Sequence, residues 1–148
     1  MDASAEKPRE NWYDSFPGRG IVYDLSYTAL SAPDKEGRLR AVVALGKTGD
    51  PRAVRPLIDL VADNDPVIRR GAIAALGDLR SGRPVEILIE RLRDRNEQVD
   101  IRRLASDSLA AIRSTGALYG LREFSADTNE DPDLRSYVTA LLGRTGTW

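Results

Sequence analysis

Four arginines recur at a nearly fixed interval along this chain of 148 residues. Arg38, Arg69, Arg102 and Arg135 follow one another at intervals of 31, 33 and 33 residues. Self-similarity with a period of roughly 20 to 50 residues is typical of stacked repeats, in which each unit buries its apolar side against its neighbour. We therefore predict a stack of similar units, an architecture that usually offers a binding surface and seldom an active site.

Each unit has the pattern of a helix, a short turn and a second helix. The first helices share a stripe of small apolar residues spaced by three and four, which places the stripe on one helix face. The stripe contains Ala41, Ala44 and Leu45 in one unit and Ala72, Ala75 and Leu76 in the next. Glycines follow it at positions 46, 77 and 143, and we expect these glycines to end the helices with a positive φ angle.

The same pattern divides the chain. We predict a flexible or loosely packed arm over residues 1–20 and a repeat domain over residues 21–148. The predicted units of this domain are a half repeat 21–33, the repeats 34–64, 65–97 and 98–130, and a C-terminal half repeat 131–148. We expect the aromatic residues of the arm to cover the open end of the stack, with an aromatic binding patch as the alternative; they are Trp12, Tyr13 and Phe16.

Two stretches carry a recognisable motif. The first runs Asp65-Pro66, Arg69, Ala72, Ala75-Leu76-Gly77, and the second runs Gly49-Asp50-Pro51-Arg52-Ala53-Val54 and Pro56-Leu57-Ile58. This pattern resembles the HEAT-like repeat, in particular the short form found in phycobilisome lyases. The resemblance implies an all-α fold, a right-handed α-solenoid of helical hairpins. It implies little about function, because one repeat fold serves many tasks.

Composition excludes several kinds of chemistry. The chain has no cysteine and no histidine, which removes thiol chemistry, the commonest general base and the commonest metal ligand. HEAT-like hydroxylases that modify a lysine derivative carry His-Glu motifs, and these have no counterpart here. We therefore expect no catalytic residue, no cofactor and no metal, including no di-iron site at the carboxylate pairs Asp59 and Asp63 or Glu86 and Glu90.

Net charge and hydropathy also bear on the partners and the location. The 22 basic and 23 acidic residues leave a net charge of −1, which argues against nucleic acid as the partner. Residues 1–10 contain no apolar run, and no apolar stretch approaches the roughly 18 residues that span a bilayer. We expect a cytoplasmic protein that does not bind membranes.

Two short motifs resemble ligand-binding loops but lack required residues. Gly46–Gly49 contains the Gly-Lys-Thr of a phosphate-binding loop, but the glycine required five positions before Gly46 is Ala41. Asp127–Asp131 has the spacing of a calcium loop, but Pro132 replaces the glycine and Val138 replaces the twelfth-position glutamate. We interpret the first motif as a turn and the second as an acidic turn in which Asp131 or Asp133 caps the last helix.

The repeated arginines have two possible roles. A row of arginines could bind phosphate or carboxylate groups of a ligand. Regular spacing favours a structural role instead, in which each arginine pairs with an aspartate of its own or a neighbouring unit, such as Asp34 or Asp65.

The exposed side of the second helices is the surface that we expect to face a partner, on the inner, concave wall of the stack. Equivalent positions change from unit to unit, for example Arg55, Glu86 and Tyr119 at one level and Asp59, Glu90 and Glu123 at another. We predict that partner-binding residues are Arg52, Arg55, Arg83, Glu86, Glu90, Tyr119 and Arg122.

These observations lead to a functional hypothesis with two alternatives. We predict a non-catalytic adaptor that binds another protein or a peptide segment on its concave face. The alternatives are a chromophore-attachment factor similar to the bilin lyases, or a lyase subunit, and a HEAT-like protein that binds nucleic acid. The sequence leaves the oligomeric state open.

Overall fold

The computed structural model describes residues 20–144, and this part of the chain is all-helical, with no β-strand. The predicted arm, with Trp12, Tyr13 and Phe16, lies almost wholly outside the described residues. The helices are α1 (Gly20–Ser31), α2 (Lys35–Lys47), α3 (Val54–Leu60), α4 (Pro66–Leu79), α5 (Val85–Arg93), α6 (Val99–Ile112), α7 (Thr115–Ala126) and α8 (Pro132–Arg144). A 3₁₀ turn at Pro51–Ala53 leads into α3. None of these helices is long and apolar enough to cross a membrane.

The helices form two layers, as the prediction of an α-solenoid requires. Helices α2, α4, α6 and α8 pack successively against one another and form the first-helix layer. Helices α1, α3, α5 and α7 form the second-helix layer, and the core lies between the layers. Fully buried leucines occupy equivalent core positions in successive units: Leu45, Leu76 and Leu109 in the first layer, and Leu57, Leu88 and Leu121 in the second.

Aspartates begin several of the helices, as their positions before helical patterns predict. The side chain of Asp65 accepts a hydrogen bond from the backbone N–H of Val67 at 2.9 Å. Asp131 accepts one from Leu134 at 2.8 Å, so Asp131 caps the last described helix. Such side chains satisfy N–H groups that have no partner inside the helix.

The conserved-looking position after the apolar stripe has a different role from the predicted one. Gly46 and Gly77 do not end their helices but are buried inside α2 and α4. A Cβ atom at Gly46 would lie 2.8 Å from the Cα of Ala75, and one at Gly77 would lie 3.1 Å from the Cα of Ser108. These glycines therefore let neighbouring first helices approach backbone to backbone.

The helix ends with a left-handed residue are elsewhere. Arg80 and Arg113 have φ angles of 54° and 59° and follow α4 and α6. Gly143 lies inside α8. The prediction that the three glycines end their helices is therefore wrong, because close helix packing requires a residue without a side chain one turn earlier.

Candidate functional site

One edge of the stack carries the repeated arginines, and in the middle unit the arginine binds a carboxylate with two nitrogen atoms. The Nε and Nη2 atoms of Arg69 each donate to the carboxylate of Glu97 at 2.9 Å. Its Nη1 atom donates to the backbone carbonyl of Asp63, also at 2.9 Å. The side chain thus joins the start of α4 to the turns before α4 and after α5.

The same arrangement recurs one unit later and is more deeply buried. Arg102 donates to Glu130 at 3.0 Å and, through Nε, to the carbonyl of Leu92 at 2.8 Å. Arg102 is 5% exposed and Glu130 is 6% exposed, so water does not compete well for either charge. This pair is a buried ion pair that joins two consecutive units.

The first unit repeats this geometry with an aspartate. Arg38 forms an ion pair with Asp63 and donates through Nε to the carbonyl of Ala29 at 2.9 Å. We call the three pairs Arg38–Asp63, Arg69–Glu97 and Arg102–Glu130 the arginine ladder. The structural interpretation of the arginines is confirmed for these three, whereas the partners suggested from sequence, Asp34 and Asp65, are wrong.

The arginine ladder shifts the ionisation of its carboxylates. Burial alone would raise the pKa of Glu97, but hydrogen bonds from Arg69 and from the Gln98 backbone outweigh it and hold that pKa below its ordinary value. The pKa of Asp63 is lowered in the same way: burial opposes the shift, and hydrogen bonds from Arg38 and the Asp65 backbone produce it. Both carboxylates are therefore stabilised as anions by the fold.

The fourth arginine differs from the other three. The Nε atom of Arg135 donates to the carbonyl of Ser125 at 3.2 Å, as Arg38 and Arg102 donate to the preceding unit. Within residues 20–144, however, Arg135 has no carboxylate partner. The last unit therefore has only half of the arginine-ladder contact.

The second helices carry a different set of charges. We define the second-helix face as the exposed side chains of α3, α5 and α7, namely Arg55, Asp59, Glu86, Glu90, Tyr119, Arg122 and Glu123. In the part of the chain that the structure describes, none of these side chains makes an ion pair or a side-chain hydrogen bond. Tyr119 is 65% exposed, although its ring is large and apolar.

Most of the predicted partner-binding residues belong to this second-helix face, and their role stays a prediction. Arg55, Glu86, Glu90, Tyr119 and Arg122 lie on it. Arg83 is exposed in the turn that precedes α5.

Arg52 is the exception among the predicted residues. It is half-buried and forms an ion pair with Asp50, the residue that caps its own helical turn. The guanidinium is therefore already bound within the fold. The sequence could have indicated this contact, because the two residues stand two positions apart at a helix start.

Sequence reasoning also missed the acidic partners of the ladder. Glu97 and Glu130 each lie 28 residues after the arginine that they bind. This spacing was a usable signal, since it recurs in two consecutive units. The wrong choice of Asp34 and Asp65 came from considering only the aspartates at the helix starts, which instead cap α2 and α4.

The donor set was also tested for a metal site. Among residues 20–144, no group of three or more histidine, cysteine, aspartate or glutamate residues could hold a metal ion. The whole sequence lacks histidine and cysteine. The residues described therefore do not fit a protein-bound metal centre.

The comparison with protein families concerns the first half of the solenoid. The model for HEAT repeats matches residues 24–102, which is more than half of the chain. This chain belongs to the HEAT repeat family. The match agrees with the α-helical hairpins and with their stacking in two layers.

Individual relatives point towards one kind of enzyme. The chain is 28% identical over 92 residues to deoxyhypusine hydroxylase of Rattus norvegicus and 25% identical over 92 residues to the Homo sapiens protein of that name. Each match covers 62% of this chain and 30% of the relative, so this chain matches less than a third of their length.

A solved structure has the same arrangement of helices. Human deoxyhypusine hydroxylase in complex with glycerol matches with a TM-score of 0.72 at 21% identity. The match covers 84% of this chain and 43% of that one. At this identity the similarity shows a shared fold.

These relatives correct the functional prediction. The hypothesis of a non-catalytic adaptor is contradicted, because the matched proteins are named as enzymes. They are hydroxylases, and they give no support to the bilin-lyase or nucleic-acid alternatives. The error arose because the absence of histidine was used to dismiss any enzymatic role.

Proposed function

We propose that this chain acts in a protein-modifying enzyme of the deoxyhypusine hydroxylase kind, and that its second-helix face binds the basic segment of a substrate protein. The observation that carries the proposal is that the charges of this face have no partner within residues 20–144, whereas the ladder pairs are satisfied. The relatedness over 92 residues to deoxyhypusine hydroxylases supports the choice of enzyme class.

The charges of the second-helix face suit a basic side chain. Asp59, Glu90 and Glu123 follow one another at intervals of 31 and 33 residues, the period of the repeat itself, so one carboxylate stands at the same level of each second helix. Deoxyhypusine is a lysine derivative, and its protonated amines are attracted by carboxylates. The exposed ring of Tyr119 adds an aromatic face on which a cation can rest.

Arg55 and Arg122 give the second-helix face positive charge as well. A protein segment that carries one basic side chain among acidic neighbours would therefore find complementary charges on this surface. Complementary charge of this kind contributes mainly to specificity and to the rate of association. The expected partner remains a protein segment, on a wall whose concave shape stays a prediction.

Hydroxylation replaces a C–H bond by a C–O–H group and requires an oxidant together with a redox cofactor. Since the described residues do not fit a metal centre, we derive no step through a metal. What the chain's own residues can do is hold and orient the basic side chain, which is the part of the reaction that depends on charge and position.

Binding tests the proposal directly. We expect a labelled peptide containing deoxyhypusine to bind in fluorescence anisotropy, and to bind more tightly than the same peptide with acetyl-lysine at that position. Glu90→Gln and Glu123→Gln should each weaken binding about 1.5- to 5-fold, the range for exposed charge pairs. Glu36→Gln, an exposed carboxylate in α2, is the matched control and should leave the affinity unchanged.

Activity is the second test. The full chain, incubated with a deoxyhypusine-containing protein, oxygen and a reductant, should give a mass gain of one oxygen atom by mass spectrometry. Equal affinity for the charged and acetylated peptides would contradict the assignment of the second-helix face. Charge-dependent binding without oxygen incorporation under any added metal would contradict the assignment of the enzyme class.

A further inference from the structure

A shallow apolar groove runs along the outer side of α2. It has a volume of about 340 Å³ and is lined by Leu39, Arg40, Val43, Ala44 and Lys47. Val43 is 43% exposed and stands among the few large apolar side chains with so much free surface. The groove is therefore an apolar floor with a cation on either side and no described residue over it.

The N-terminal arm leaves the described structure close to one end of this groove. Helices α1 and α2 pack against each other and are joined by the short turn at residues 32–34, so they run in opposite directions. With 12 and 13 residues, the helices are about 18 Å and 20 Å long at 1.5 Å per residue. Gly20, the first residue of α1, therefore lies level with Lys47, the last residue of α2.

The aromatic residues of the arm can reach the groove from that point. Phe16 precedes Gly20 by four residues and Trp12 by eight, which allows spans of about 13 Å and 26 Å at 3.3 Å per extended residue. The groove extends from Lys47 to Leu39, about 12 Å along the helix. The segment that contains the aromatic residues thus has the length needed to cover the groove from end to end.

The chemistry of this segment also complements the groove. Residues 10–16 read Glu-Asn-Trp-Tyr-Asp-Ser-Phe, with two carboxylates between and beside three aromatic rings. The groove offers apolar surface flanked by Arg40 and Lys47. Arg40 reaches only the exposed Asp34, at 3.9 Å, and within residues 20–144 Lys47 has no ion-pair partner.

We propose that residues 10–16 dock in the α2 groove, with their aromatic rings on Val43 and Leu39 and their carboxylates beside Arg40 and Lys47. Aromatic rings gain the most from such burial, because each removes a large apolar area from water. This site differs from the open end of the stack, where the aromatic pattern alone would place the arm.

Tryptophan fluorescence gives a direct test, because the chain has two tryptophans and Trp148→Phe leaves Trp12 as the only one. In this full-length variant we expect a blue-shifted emission and acrylamide quenching several-fold weaker than that of free peptide 10–16. Adding Val43→Asp should bring the quenching to the level of the free peptide. Val99→Asp is the matched control: Val99 is an apolar side chain that is 52% exposed on α6, and its replacement should leave the quenching unchanged.

A second variant keeps the test decisive if Val43→Asp disturbs the fold. Arg40→Glu combined with Lys47→Glu leaves the apolar floor intact but repels Glu10 and Asp14, and it should raise the quenching with an unchanged circular-dichroism melt. Quenching of Trp12 as strong as in the free peptide would overturn the proposal. So would protection that ignores both α2 variants, which would indicate the open end, or protection that grows with concentration alongside a dimer, which would indicate a second copy.

Discussion

The arginine ladder and the second-helix face use the same kinds of residue for opposite purposes. Arg102 is buried and donates to both a carboxylate and a backbone carbonyl, whereas Arg122 is exposed and makes no side-chain contact with the described residues. Both arginines belong to the same repeat. Whether an arginine in this fold supports the structure or is free to bind a ligand is decided by its partners and not by residue type.

The difference has an energetic reason. Removing one partner of a buried ion pair leaves the other charge without water or a counter-ion, which costs about 3–5 kcal/mol. An exposed charge remains hydrated, and its loss usually changes stability by no more than about 0.5 kcal/mol. The two regions should therefore respond very differently to the same substitution.

The largest effect is expected from Arg102→Ala. It should lower the free energy of unfolding by about 3–5 kcal/mol, because Glu130 stays buried without its partner. Arg122→Ala should change it by less than about 0.5 kcal/mol. Urea unfolding followed by circular dichroism measures both, and similar losses in the two variants would break the distinction between the regions.

Arg135→Ala refines the same comparison. Arg135 keeps the backbone contact of its counterparts but has no carboxylate partner within residues 20–144, so we expect a loss well below that of Arg102→Ala. A loss as large as that of Arg102→Ala would mean that the contact with the preceding unit, and not the ion pair, provides most of the stabilisation.

The seam between the layers should be nearly as sensitive as the ladder. Leu76 is fully buried in α4. Leu76→Ala should cost about 2–5 kcal/mol, through lost burial and the cavity that remains. Val43→Ala, at an exposed position of α2, is the control and should cost far less. A melting temperature for Leu76→Ala within a degree or two of the parent would contradict the assigned core.

A smaller effect is expected from acid. The pKa values of Glu97 and Asp63 are lowered in the folded state, so the unfolded chain binds more protons as the pH falls. Their contribution to stability is present above the ordinary pKa of about 4 and is lost as the pH falls through the lowered value. Glu97→Gln should reduce stability at neutral pH and flatten its decline between about pH 5 and pH 2.

Unfolding midpoints across this pH range give the measurement. Glu36→Gln, whose carboxylate lies outside the ladder, should leave the slope unchanged. An unaltered slope in Glu97→Gln would show that Glu97 takes no part in the acid sensitivity.

Local patterns predicted much of this fold. The recurring arginines, the apolar stripes and the aspartates at helix starts each depend on residues a few positions apart, and the structure bears out the helical hairpins that they predict. The exposed position of Tyr119 and Glu90 was also predictable, because each lies opposite the apolar face of its own helix. Periodicity alone was enough for these conclusions.

Contacts between units could not be assigned in this way. Gly77 has the sequence context of a helix end, yet it lies inside α4 because Ser108 of the next unit packs against its Cα. Arg52 matched the pattern of a binding residue, yet Asp50 occupies its guanidinium. In both cases a neighbour in space, and not a neighbour in the pattern, determined the role.

The amino-acid sequence by itself determined the period, the helices and the faces that they bury, since these follow from the spacing of apolar and capping residues along one chain. Only the tertiary structure decided which glycines serve close packing, which carboxylates bind the ladder arginines and which charges remain without a partner. The physical reason is distance: a charge 28 residues away or a backbone in the next helix contributes only when folding brings it to within about 3 Å.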